Sequence, residues 1–276
     1  MQLYICGVRG STPAPGPEFV RYGGNTSCVA LAQEGRAPTL VLDAGTGLQR
    51  LTQMMEGQPF RGSILLGHLH WDHTHGLPFF RAGDHPEAHV DLYMPAQGDP
   101  VAVLARVLSP PHFPIEPTDL RGQWRFHALE PGDHTIEGFT VVAREIPHKG
   151  GRTFGYRISD GRTTIAYLSD HSPITLGPGP DGLGEYHDRA LELAHEADVL
   201  LHDAQYTATE LKERSEYGHS AIDYAVGLAE RAGARRLMLF HHDPPRSDDA
   251  IDELVRSSQR SGLEVTAAAE GTVIDL

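Results

Sequence analysis

Apolar and polar side chains alternate from the start, at Gln2-Leu3-Tyr4-Ile5-Cys6, and predict a strand over residues 3–6. A Gly- and Pro-rich stretch from Gly7 to Asn25 breaks the pattern, and short apolar runs at 26–32 and 39–42 predict two more strands. Residues 46–55 read as a short helix, 63–66 as a buried strand, and 99–108 as a helix between strands at 90–94 and 124–128. Strands at 141–146 and 164–168 follow. From Tyr186 the period lengthens: apolar residues recur three and four apart over 186–197, 221–232 and 249–261, alternating with strands at 199–201 and 236–240. Strands at 263–267 and 272–276 end the chain.

Strands and covering helices are mixed throughout, and no polar linker separates them, so the expectation is one α/β domain over 1–276. Its two half-domains, about 1–175 and 176–276, would meet near the loop 177–184, GPGPDGLG. No apolar run approaches the roughly 18 residues of a membrane span, and no basic, apolar leader precedes residue 2, which points to the cytoplasm. Cys6 and Cys28 fall in predicted strands and read as buried thiols. The 37 acidic residues outnumber the 23 Lys and Arg, giving a formal charge of -14 without a basic cluster. Such a surface disfavours long nucleic acid, whose binding depends on cations displacing counterions, and favours a small substrate.

Histidine is in excess, at 17 of 276 residues, and its placement carries the chemistry. Directly after the buried strand comes GHLHWDHTHG, with His68, His70, Asp72 and His73 in the spacing H-x-H-x-D-H. A strand leading into a turn can aim His68 and His70 at one ion, while Asp72 and His73, further round, reach a neighbouring one. Two ions need more ligands, and predicted strand ends offer His148, Asp170 and His241. A carboxylate has two oxygens, so Asp170 is the preferred bridge. Strand alternation cannot choose between His241 and His242. Asp43 either accepts a hydrogen bond from a metal-binding imidazole or caps a turn. His75 and His171 read as supporting or solvated residues. Ser220 and Asp223 look like a capping box for the helix at 221–232.

These motifs resemble the metallo-β-lactamase-fold hydrolases, specifically the phosphodiesterase branch containing tRNase Z, along nearly the whole chain. The resemblance implies a four-layer αββα sandwich with its active site at one edge of the two sheets. It assigns His68, His70, His148 and Asp170 to one metal, and Asp72, His73, Asp170 and His241 to the other, which favours His241 over His242. It also implies a proton-donating pair, Asp203 in Asp203-Ala204 and His219 in Gly218-His219-Ser220, with Asp203 one methylene shorter than the usual Glu. The stretch GVRGSTPAPGPEFVRYGGNTSC and the HHDP at 241–244 resemble a bacterial group of the superfamily.

Two divalent ions, two carboxylate ligands and a bridging hydroxide leave the site about +1, attractive to a small anion. The expected cofactors are two divalent metals, zinc with manganese as the alternative. The expected activity is hydrolysis of a small phosphodiester, a cyclic nucleotide foremost, by a metal-bridging hydroxide, with Asp72, His219 and Asp203 catalytic. A Pro-stiffened segment, 105–120, is expected to wall the pocket and stack on a base. The spacing of 22 positions between His148 and Asp170, and the lack of a basic protrusion before His241, disfavour tRNA. The alternatives are a lactone or thioester hydrolase, a tRNase Z-like RNA 3′-processing endonuclease, and a non-catalytic sensor. A homodimer is compatible with the chain.

Overall fold

The computed structural model describes all 276 residues, in fourteen strands and seven α-helices. The strands are β1 (Gln2–Gly7), β2 (Cys28–Ala32), β3 (Leu40–Leu42), β4 (Arg61–Leu65), β5 (His89–Pro95), β6 (Gln123–Leu129) and β7 (Gly132–Ile136). They continue with β8 (Phe139–Glu145), β9 (Phe154–Ser159), β10 (Thr164–Leu168), β11 (Val199–Asp203), β12 (Arg236–Phe240), β13 (Glu264–Ala267) and β14 (Val273–Asp275). The helices are α1 (Leu48–Met54), α2 (Trp71–Thr74), α3 (Pro100–Ala105), α4 (Asp188–Ala194), α5 (Ala208–Arg214), α6 (Ile222–Ala232) and α7 (Asp248–Ser257). No helix is long and apolar enough to cross a membrane.

The strands form two seven-stranded sheets, ordered β14-β1-β2-β3-β4-β5-β6 and β13-β12-β11-β10-β9-β8-β7. Each is antiparallel at one end and parallel at the other: β3 to β6 run parallel, as do β10 to β13. Parallel strands are covered on both faces, and their side chains alternate accordingly. Ile165 and Tyr167 of β10 face the apolar layer between the sheets, while Ala166 and Leu168 face the layer under α4 and α6. Leu65 likewise joins the central layer, and Ile64 packs outward with Leu48 and Leu51 of α1 and Leu104 of α3. Three apolar layers between four layers of structure make the αββα sandwich that the resemblance implied. Cys6 and Cys28 are free and packed in the outer layer of the first sheet.

The chain passes between sheets at Leu129–Gly132, well before the half-domain boundary expected near 175, and β14 returns to pair with β1. The antiparallel strands β7 to β10 belong with the later βα units, a tertiary pairing that helix content along the chain does not reveal. Helix α5 was absent from the apolar periodicity, although Thr207 and Glu210 form its capping box. For α6 the expected box is not there: Ala221 is the N-cap without a side-chain bond, and the Ser220 hydroxyl has no partner.

Two buried tyrosines tie the sheets together at one rim. Tyr156 on β9 donates to the Leu66 carbonyl just past β4 at 2.7 Å, and Tyr167 on β10 donates to Asp43 Oδ2 at 2.7 Å. Tyr156→Phe strands a buried carbonyl, and the expected cost is about 1–2 kcal/mol, a loss of a few degrees in Tm. Thermal unfolding of the two proteins side by side checks this; an unchanged Tm would remove the tyrosine from the account of how the rim is held.

Candidate metal centre

The parallel strands β3 and β4 point to one rim, as do β10, β11 and β12 opposite; β8, two antiparallel steps from β10, points the same way. Every residue of the centre follows one of these carboxyl ends. Asp43 follows β3, His68 and His70 follow β4, and α2 carries Asp72 and His73 in its first turn. His148 follows β8, Asp170 follows β10, Asp203 ends β11 and His241 follows β12. Asp43 and His241 both take a left-handed backbone conformation, φ 59°, which turns each side chain sharply off its strand.

The donor atoms fall into two groups. Ring nitrogens of His68, His70 and His148 lie within 4.8 Å of one another, and so do donor atoms of Asp72, His73, Asp170 and His241. Asp170 joins them: Oδ1 is 3.8 Å from His68 Nε2 and 3.7 Å from His148 Nε2, while Oδ2 is 3.0 Å from His73 Nε2. Both ring nitrogens of His68 and of His73, and Asp170 Oδ2, are buried without a hydrogen-bond partner. Nitrogen and oxygen donors left unpaired in this arrangement fit divalent ions, zinc foremost.

Neighbouring groups aim the candidate ligands. His148 Nδ1 donates to the Gly218 carbonyl at 2.6 Å, and His241 Nδ1 donates to Gln205 Oε1 at 2.9 Å, turning each Nε2 inward. His73 Nδ1 lies 2.8 Å from Asp43 Oδ2, out of line for a hydrogen bond, and Asp43 Oδ1 accepts from the Gly67 amide at 2.7 Å. Asp43 thus stands beside the imidazole without the hydrogen bond expected of it, and its oxygens accept instead from the Gly67 amide and the Tyr167 and Ser169 hydroxyls. The amide of Ser11 donates to Asp72 Oδ2 at 2.7 Å. A Cβ at Gly10 would stand 2.3 Å from His241 Nδ1 and 2.6 Å from Gln205 Oε1, so the backbone here must be glycine.

Taken by themselves, these groups balance one another's charge. Burial disfavours ionised Asp170 and Asp72, yet the surrounding imidazoles, His241, His73 and His68 for Asp170 and His73 and His241 for Asp72, hold both well below the usual carboxylate range. Burial also opposes a charge on His73, but Asp170, Asp43 and Asp72 override it, and Asp170 with Asp72 pushes His241 up to about 9. His68 and His70 are held down chiefly by burial, and His148 is pushed to about 4.

Beside the centre, His219 Nδ1 donates to Asp203 Oδ2 at 3.1 Å. Asp203 also accepts from the amides of His171, Gln205 and Ser220, so the shorter side chain still reaches the histidine from a fixed position. His242 turns away and bonds the Ala268 carbonyl, which leaves His241 as the residue in the cluster. His171 is buried between His187 and His202, 2.8 and 3.0 Å away, and His75 is on the surface, stacked on Trp71. The 105–120 segment does not line the cleft that holds His219; Arg106 and Val107, near its start, border a smaller hollow over His68 and His70. Val107, Leu108, His112 and Phe113 line a separate apolar groove with Phe79, because α3 packs them against the 74–79 turn. The cleft over the metal residues, about 520 Å³, is lined instead by Ser11, Leu69, Trp71, Tyr206, Tyr217 and His219 with His70, Asp72 and Asp170. Sequence reasoning gave no role to Ser11, Gly10 or Gln205; the only signal was the early Gly-Ser stretch, whose approach to the site is a matter of tertiary packing.

The beta-lactamase superfamily domain matches residues 39–242. The chain is 26% identical over 279 aligned positions to the Ribonuclease Z of Acaryochloris marina, covering 84% of this chain and 85% of that one. The metallo-beta-lactamase fold protein YhfI from Bacillus subtilis superposes with a TM-score of 0.73 at 19% identity, over 99% of both chains. The short form of human tRNase Z superposes with a TM-score of 0.70 at 23% identity, over 100% of this chain and 99% of that one.

Metal loading is expected to reach about two ions per chain, and Asp170→Ala to lose at least one, as elemental analysis will show. Wild-type loading of one ion, or full loading of the variant, would contradict this. An ion among Asp72, His73, Asp170 and His241 must displace protons from His73 and His241, so its affinity falls as the pH drops below about 9. An ion among His68, His70 and His148 would meet that competition only below the usual imidazole range, because burial holds all three rings down. On acidification in equilibrium dialysis the two ions should therefore leave in separate steps, and simultaneous loss would count against the assignment.

Proposed function

The chain belongs to the beta-lactamase superfamily, and on that premise we propose that it is a metal-dependent hydrolase of small phosphodiesters, a cyclic nucleotide foremost. The observation that carries this reading is the Asp203–His219 pair set beside both ligand groups in one cleft. Two bound divalent ions would supply Lewis acidity to phosphoryl oxygens and lower the pKa of water toward about 7.

The residues supply the rest. Asp170 and Asp72, with the five histidines, would fix the position of both ions, and the Ser11 amide holds Asp72. In the hydrolysis, water adds to phosphorus, the ester P–O bond breaks, and the departing oxygen takes a proton. His219 is placed to deliver that proton: Asp203 occupies Nδ1, which leaves Nε2 for the leaving group. The pair is what favours an alkoxide leaving group, which needs protonation more than a thiolate does. The same centre could hydrolyse a thioester, which would draw little on His219, or a lactone, which also expels an alkoxide and would draw on it as the phosphodiester does.

Size is argued from charge and shape. A formal charge of -14 works against a long polyanion over the surface as a whole, whereas ions bound at the centre would attract a small anion there. Between Asp170 and His241 the chain builds α4, β11, α5 and α6, which pack in the outer apolar layer of the second sheet and leave no projecting arm. The name of the Acaryochloris marina relative favours RNA as the rival substrate, so precursor tRNA belongs in the same assay.

His219→Ala should retain both ions yet hydrolyse a phosphodiester with an alkoxide leaving group at least about 10²-fold more slowly, while an activated aryl phosphodiester loses far less. Equal losses on both would make His219 a positioning residue. In parallel assays at low and moderate salt, a cyclic nucleotide should show the higher kcat/KM; faster cleavage of precursor tRNA at both salts would transfer the reading to RNA processing.

A further inference from the structure

Two large aromatic side chains at the cleft are left in solvent. Trp71 is 62% exposed and Tyr217 is 65% exposed, and both line the cavity that reaches Asp72, Asp170 and His219. A single exposed apolar residue is ordinary, but two large aromatics on the walls of one cleft mark it as a surface for a ligand. The core does not use them, and neither makes a side-chain hydrogen bond.

Their backbones are held firmly even though their rings are bare. Trp71 sits between His70 and Asp72 at the first position of α2, and His75, one turn on, covers one face of its indole at 5.6 Å and 15°. The other face is not covered by any aromatic ring. Tyr217 is flanked by two anchored carbonyls: Glu216 accepts from Lys149 Nζ at 2.9 Å, and Gly218 accepts from His148 Nδ1. Gly218 takes φ 92°, which turns the chain directly into His219. Each ring is thus tied by a few bonds to a residue of the centre, so a molecule whose phosphate lies there has an aromatic surface within its own length. Tyr206, buried and edge-on to His219, is floor rather than platform.

The geometry points to Trp71 and Tyr217 as platforms that stack on a planar ring carried by the phosphoester. The substrate class is then nucleotide esters, as distinct from sugar or alkyl phosphoesters of similar charge. This deepens the phosphodiesterase reading and rests on it for the placement of the phosphate. Stacking is suited to the task because a rigid aromatic loses little conformational freedom on binding, and every base offers a π-face.

AMP and ribose 5-phosphate differ only in the base, and calorimetric titration of each into the zinc-loaded protein isolates its contribution. The wild type should bind AMP at least about 5-fold more tightly, the lower end of what one stacked base supplies. Trp71→Ala and Tyr217→Ala should each reduce that ratio, the double variant should bring it within about twofold, and Trp71→Phe should keep most of it. Equal affinities in the wild type, no AMP binding, or a ratio that survives in the double variant would overturn the inference. Hydrolysis of ethyl p-nitrophenyl phosphate by the same preparations separates the two claims. Turnover without a base preference sinks the platforms and spares the reaction; a base preference without turnover does the reverse.

Discussion

Asp170 is a fully buried carboxylate placed among His68, His73, His148 and His241, with its oxygens 3.0 to 3.8 Å from their ring nitrogens. An isolated carboxylate removed from water costs several kcal/mol, so this position is tenable only when positive charge surrounds it. Protons on His73 and His241 provide that charge in part, and divalent ions would provide it in full. The arrangement would therefore couple the electrostatics of folding to metal binding, and the rest of the rim holds six other candidate ligands around one residue.

That means is largely topological. Parallel strands all present their carboxyl ends to the same side, so two half-parallel sheets packed face to face bring six strand ends to one rim. Chain direction sets the neighbourhood, and local interactions set the aim. Tyr156 and Tyr167 bond across the sheet interface beside the centre, and Tyr167 reaches Asp43, which faces His73. The left-handed turns at Asp43 and His241 cost conformational energy that the surrounding contacts must offset. Gly10 allows the early loop to press against His241 and Gln205, where any side chain would collide.

How much of this was legible depended on whether the signal was local. The H-x-H-x-D-H run, its buried strand and the two-sided apolar strands of the second half read directly from the sequence, because each concerns residues within one or two turns of chain. His148, Asp170 and His241 could be proposed only as strand ends, and the choice of His241 over His242 came from resemblance; the left-handed φ at His241 that decides it is invisible to period-two reasoning. Long-range contacts were missed or misplaced. The move between sheets at Leu129–Gly132, the Ser11 amide on Asp72 and Gln205 behind His241 all join segments far apart in sequence. The 105–120 segment was misplaced in part for the same reason: Arg106 and Val107 border a hollow over His68 and His70, but α3 carries Leu108, His112 and Phe113 to a neighbouring groove.

The central claim is that one carboxylate serves two ions at once, and the distance between those ions tests it most directly. X-ray absorption at the zinc edge on the fully loaded protein should show nitrogen and oxygen ligands at about 2.0–2.2 Å and a metal–metal vector at about 3.5–4 Å. A spectrum with light-atom ligands but no metal–metal vector, from protein holding two zinc ions per chain, would mean that the ions occupy separate sites and that Asp170 does not join them.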